Sequence, residues 1–287
     1  MAIDLKAAFE NAPPKLDFVW PGFLAGTVGA MIAPGAAGKT FWALQAAMAV
    51  ACSAPGGDLL NISPTISGRV VYLAAEDPAS ALRRRIYSIG QKLTPSARLA
   101  ITKSMTLQVI TGDRWNIMDA LELERLVIEC AGCRLIVFDT LSRIHRLDEN
   151  SNGDMANLIS TFEYVAAKTG ASVLYLHHVS KGSAREGQTD QQHAARGASV
   201  LVDNVRWCGY LAKMGEDEAK KLRIRNQDIA SLIDQRGNFV RFGVSKQNYE
   251  IAPHNQWYSR SDGGVLVPVE VQELSIGVKK KGRRDEV

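Results

Sequence analysis

Short apolar runs alternate with helically spaced stretches along the first two-thirds of the chain. TVGAMIA (27–33), RVVYLAAE (69–76), TLQVI (106–110), RLIVFD (134–139) and SVLYLHH (172–178) predict strands. Between them, helical spacing runs from Lys39 to about Cys52, from Pro78 to about Lys92, over 118–131 and over about 153–169. Strands apolar on both faces and separated by helices predict an α/β fold: a mostly parallel sheet with helices on both faces. From Ser199 the pattern changes to VLVDNVRWCGYLA, FVRFGVSKQNY, QWYSR and GVLVP, joined by polar turns and a charged segment at 214–228. These runs predict a C-terminal antiparallel extension of the same sheet. No internal repeat interrupts the pattern, so 26–270 is expected to be one domain. It is preceded by an arm (1–25) in which Pro13, Pro14 and Pro21 limit regular structure, with Phe18, Val19, Trp20 and Phe23 as a docking patch, and followed by a basic tail (271–287) expected to be disordered.

Composition changes this picture little. The 287 residues are 46% hydrophobic and 22% charged, with a net charge of +4. Most of that excess sits in KKKGRRDEV (279–287), and the remaining 29 basic and 28 acidic residues nearly cancel. A body so close to neutral does not by itself point to nucleic acid. Cys130 and Cys133 form a C-x-x-C without the second pair that a zinc site needs, so packing at a helix end in a reducing compartment is expected. The first residues show no secretory signal, and FWALQAAMAVACSA (41–54) is too short to span a bilayer, so a cytoplasmic protein with no membrane partner is expected.

The chemistry is concentrated at strand ends. APGAAGKT (33–40) departs from the phosphate-loop pattern GxxxxGK[ST] only in having Ala33 at its first position. Such a loop works through backbone N–H groups at a helix start that surround phosphate oxygens, here offered by Gly35, Ala36, Ala37 and Gly38. Lys39 reaches the outer phosphates and the Thr40 hydroxyl ligates Mg²⁺. The first glycine mainly eases the turn out of the strand, so alanine there is the mildest departure. Asp139 closes RLIVFD as a second anchor for the metal. Glu76, at the end of RVVYLAAE, can orient an attacking water, or it is a surface acid; Asp77 can cap the next helix. Of His177 and His178, neighbours on a strand, one should face the core and the other the ligand crevice. The crevice is assigned to His178, as a sensor of the terminal phosphate.

Together APGAAGKT, VVYLAAEDP, LIVFDTLSR, LYLHHVSKG, QQHAARGASVLVDNVRW and FVRFGVSKQNY resemble the RecA/DnaB-like hexameric P-loop ATPases, and among them the small RepA-type replicative helicases of IncQ-like plasmids. The resemblance runs from the arm to about Pro268. It implies a RecA-like core, ATP or another NTP with Mg²⁺ as cofactors, and a homohexamer with active sites between subunits. It also implies 5′ to 3′ movement on single-stranded DNA, with a plasmid initiator and a primase as candidate partners. Carried over by position, Lys39, Glu76, Asp139 and His178 are catalytic. Arg206 matches the arginine finger inserted into the neighbour's site, and Lys246 lies near the strand that reaches across the interface to the nucleotide. Lys181, Arg185 and Arg196, in the polar loop 180–197, become candidate contacts to DNA phosphates, although that loop reads equally as a solvated one. Two other readings remain open: a RecA-type recombinase or regulator that does not unwind DNA, and a small-molecule kinase using the same loop.

Overall fold

The computed structural model describes residues 2–178, 200–224, 229–249 and 255–273. Lys181, Arg185, Arg196 and the KKKGRR sequence lie outside the described residues. Each predicted strand in the first two-thirds forms: β3 (Val28–Ala33), β4 (Val70–Ala74), β5 (Met105–Val109), β6 (Leu135–Asp139) and β7 (Ser172–His178). Each predicted helix forms as well: α2 (Lys39–Ala51), α3 (Ala79–Gly90), α5 (Ala120–Glu129) and α6 (Asn152–Thr169). Local chemistry sets the ends of the last two. The Asp119 carboxylate accepts from the N–H groups of Leu121 and Glu122, the Ser151 hydroxyl accepts from Asp154, and Gly170 closes α6 in the left-handed region.

Several elements differ from expectation. Helix α4 (Pro95–Ser104) was not predicted, because its periodicity is weak; it is set by Pro95 in its first turn and by Thr94, whose hydroxyl accepts from Ala97 N. The arm is not irregular: it carries a short helix, α1 (Leu5–Glu10), and then a hairpin of β1 (Phe18–Trp20) and β2 (Phe23–Leu24). Asp77 does not cap α3; Pro78 holds that position and the Asp77 carboxylate pairs with Arg85.

The largest correction concerns β8 (Trp207–Lys213), expected to be antiparallel. It pairs in parallel with β3, from Gly29↔Trp207 to Ile32↔Tyr210, while VLVD just before it is a helical turn (Val200–Asp203). Six parallel strands therefore stand together in the order β8-β3-β7-β6-β4-β5. The antiparallel extension begins one strand later, with β10 (Phe239–Gln247), β11 (Gln256–Arg260) and β12 (Leu266–Val269), and completes a nine-stranded sheet. Residues 271–273, expected in the tail, form β13 (Val271–Glu273) and pair with β9 (Leu222–Ile224).

Two cores lie on opposite faces of the sheet. On one, Phe138, Phe162 and Tyr175 stack at 5.2 and 5.5 Å between centroids. On the other, α2 is buried along almost its whole length. Its Trp42 stacks on Phe242 at 4.9 Å and lies edge-on to Trp20 of the hairpin at 5.8 Å, and Trp207 closes the cluster. Gly29 permits this packing, since a Cβ there would stand 2.9 Å from the Phe23 ring. Because Trp42 is fully buried, Trp42→Ala should cost about 3–5 kcal/mol. A fall in the urea midpoint of the full chain measures this.

Candidate functional site

In a parallel sheet the strands end together, and the crevice outside their carboxyl ends collects whatever side chains stand there. The registers Ala33↔His178 and Ala74↔Asp139 align those ends here. A cavity of about 270 Å³ opens between them, lined by the loop before α2 and by Glu76, Asp139 and His178. Five of the sequence-predicted residues, Lys39, Thr40, Glu76, Asp139 and His178, thus meet in one place.

The loop turns through Pro34 and Gly35, and its backbone enters the left-handed region at Ala36 (φ 56°) and Gly38 (φ 99°). Gly38 needs that freedom as the residue before the helix. Ala33 is still part of β3 and buried, and its carbonyl accepts a hydrogen bond of 3.1 Å from Lys39 Nζ. The alanine in place of glycine therefore falls on a strand residue, where no special backbone is required.

Lys39 Nζ also donates to His178 Nδ1 at 2.8 Å. A lysine can only donate, so Nδ1 accepts and the ring's Nε2–H faces Glu76 Oε2, 3.5 Å away. Lysine, histidine and glutamate form one chain across the crevice. Lys39 is only 6% exposed. Burial is the largest influence on it and lowers its pKa to about 8, against the attraction of Asp139 and Glu76. His177 points to the other face as expected, and burial lowers its pKa to about 4.

Asp139 is 3% exposed, and burial raises its pKa against hydrogen bonds from Tyr72 and Thr40. Tyr72 OH donates to Oδ2 at 2.7 Å. The other oxygen, Oδ1, is buried without a well-formed hydrogen bond. A buried carboxylate oxygen of this kind beside a threonine hydroxyl suits Mg²⁺, which takes one or two protein oxygens and fills its shell with water and phosphate. Among the described residues no cluster of three or more His, Cys, Asp or Glu side chains could hold a metal alone.

Arg206 and Lys246 do not join this site. Arg206 precedes β8, its N–H bonds to Val28 O, and it is exposed. It stands at the amino ends of the strands, about 16 Å along β3 from the phosphate loop. Lys246 pairs with Cys208 at the same edge, where its ammonium donates to the carbonyls of Val202 and Asp203.

Three lining residues were not foreseen, Phe41, Arg85 and Arg260, and neither was Tyr72, buried behind Asp139. Arg85 is paired with Asp77 and lies 5.5 Å over the Phe41 ring. Both also border a neighbouring hollow of about 610 Å³ formed with Arg83, Arg84, Tyr87 and Gly263. Arg260, at the end of β11, donates to Ala36 O at 2.8 Å.

A phosphate loop between a central strand and a buried helix, facing a strand-end aspartate, defines the class: a P-loop nucleotide hydrolase with a RecA-like sheet. The chain belongs to the AAA domain family, whose model matches residues 2–184. Its fold is similar to that of a separately solved ATPase domain (TM-score 0.58, 12% identity, 93% of this chain and 96% of that one). It is similar also to a DnaB-like replicative helicase solved with a view to its interactions with primase (0.60, 14%, 92% and 66%) and to the RadB recombinase (0.51, 14%, 85% and 90%). No helix among the described residues is long and apolar enough to cross a membrane.

Tyr72→Phe keeps the buried ring but leaves Asp139 Oδ2 without its donor. Stability should fall by about 1–3 kcal/mol, read as a lower urea midpoint with an unchanged slope.

Proposed function

We propose that this protein is an NTP-driven helicase that forms a ring, a hexamer by its resemblance, and moves along single-stranded DNA in plasmid replication. The observation that carries this is the position of Arg206. It is exposed, at the edge of the sheet opposite the chain's own phosphate loop, and Lys246 stands at that same edge. An arginine so placed completes a phosphate site only on a second subunit. The likeness to a DnaB-like replicative helicase supports the same reading.

In this reading Lys39 and the amides from Gly35 to Gly38 hold the phosphates, and the larger hollow beside Phe41 and Arg85 takes the rest of the nucleotide. Thr40 and Asp139 would hold Mg²⁺, which supplies positive charge to the phosphate oxygens. Glu76 orients the water that attacks the terminal phosphorus and receives its proton, while the bridging P–O bond breaks and the nucleoside diphosphate leaves. His178, hydrogen-bonded to Lys39, lies within reach of Glu76 and registers whether a terminal phosphate is present. The neighbour's Arg206 stabilises the charge that spreads over the phosphoryl oxygens in the transition state. The segment 179–199 follows His178 directly, so Lys181, Arg185 and Arg196 are positioned in sequence to pass the state of the site to DNA phosphates. A salt-sensitive grip on the DNA backbone is the chemistry expected of them.

Lys39→Ala should abolish hydrolysis. Arg206→Ala should lower turnover on the order of a thousandfold while nucleotide affinity is kept. Mixed rings of the two variants should regain activity, since each supplies what the other lacks. Wild-type ATPase should rise with single-stranded DNA, and a forked duplex should be unwound. A monomer whose ATPase ignores DNA would overturn the proposal, whereas DNA-stimulated ATPase without strand displacement would favour the recombinase-like alternative.

A further inference from the structure

Arg260 holds a cation where the fold supplies it with no anion. Its guanidinium lines the phosphate cavity and lies 3.6–4.0 Å from where a Cβ on Gly38 would stand. Burial lowers its pKa, and no carboxylate contributes to the shift. Among the described residues it forms no ion pair; Nη2 reaches only the carbonyl of Ala36, and Nε is buried without a hydrogen bond. Arg85 in the same cavity is different, because Asp77 neutralises it. A half-buried guanidinium facing a cavity, without a countercharge, is a site prepared for an incoming anion.

The element that presents Arg260 strengthens this. Strand β11 pairs with β12, and β12 is fixed to α2 by the Gln45 side chain, which donates to Leu266 O at 2.8 Å and accepts from Leu266 N at 2.9 Å. Gln45 is itself 1% exposed. The hairpin is thus locked onto the helix that begins with the phosphate loop, and Arg260 is held over that loop rather than swinging in from a mobile chain end.

The geometry points to Arg260 as a nucleotide-binding residue of the chain's own site, one that takes the phosphate chain of a nucleoside di- or triphosphate together with Lys39. On binding, the guanidinium turns from the Ala36 carbonyl to phosphate oxygens, so the antiparallel hairpin registers whether the site is filled. This assignment rests on the P-loop reading of the site.

The test is binding of ADP and AMP to the full chain by calorimetry, with wild type, Lys39→Ala, Arg260→Gln and Arg260→Lys. Arg260→Gln should weaken ADP roughly tenfold, as expected for a hydrogen bond between charged groups, and change AMP much less. Arg260→Lys keeps the charge without the planar fork and should lose a smaller but measurable factor; it also serves if Arg260→Gln does not fold. Salt should weaken ADP binding to Arg260→Gln less steeply than to wild type. Unchanged ADP affinity in the folded variants, or equal loss for ADP and AMP, would overturn the assignment and leave a residue that only clamps the loop. Wild type that binds no nucleotide, or Lys39→Ala that binds as wild type does, would instead bring down the P-loop reading itself.

Discussion

Helix α2 is buried around nearly its whole circumference, and this constraint shapes the rest of the molecule. A helix that meets water only at its first turn cannot adjust its loop by moving, so what surrounds it must hold the loop. The sheet lies on one side. The Trp20, Trp207 and Phe242 rings pack around Trp42, and Gln45 grips the backbone of Leu266 on the edge strand. An amide buried in this way is stable only with both of its hydrogen bonds made, so β12 cannot slip in register without stranding it. The antiparallel extension is therefore more than an appendage to the parallel sheet. It forms a wall of the helix and, through Arg260, of the site.

How much of this was legible follows from how local each signal is. β3, the loop and α2 are contiguous, and each carries its own chemistry, so APGAAGKT was readable despite Ala33. Asp139 and His178 were readable because each ends an apolar run and parallel strands end together. The fold class came from the same alternation. Tyr72 was invisible: only the register Tyr72↔Val137 puts it on the same face as Asp139, two residues further along the neighbouring strand. Arg260 was invisible for a different reason, since more than two hundred residues separate it from Ala36 and nothing in QWYSR indicates a phosphate. The direction of β8 was misread because its apolar run is compatible with either pairing. What decides it is the start of the strand: Arg206 N–H bonds to Val28 O at the amino end of β3.

The placement of charge distinguishes the two ends of the parallel strands. At the carboxyl ends of the strands, Arg260 apart, charged groups are engaged by near neighbours: Lys39 by His178 and Ala33, Arg85 by Asp77, Asp139 by Tyr72. At the amino ends, Arg206 stands exposed. A charge at the mouth of its own site would act at every stage of turnover. In the proposed function, a charge on the far edge acts only when a second copy presents its own mouth, and hydrolysis would then be conditional on assembly.

The phosphate site is poised in the same sense. Lys39 is so deeply buried that its pKa falls to about 8, and the nearby acids do not restore it. Its ammonium is held by a carbonyl and a neutral imidazole, both weaker partners than a phosphate. Part of what a nucleotide gains on binding is therefore relief of a charge that the fold leaves under-compensated, not contact added to an already satisfied loop. In the proposed function, a lysine that turns to phosphate would leave His178 Nδ1 without its donor. The ring is then free to change its hydrogen bond to Glu76 at the very end of β7, where the chain leaves the sheet toward the segment that carries Lys181 and Arg185. In the proposed function, the lysine–histidine–glutamate chain is the route by which phosphate occupancy would be passed on through one imidazole. Such a route needs no movement of α2, and the packing around α2 permits none.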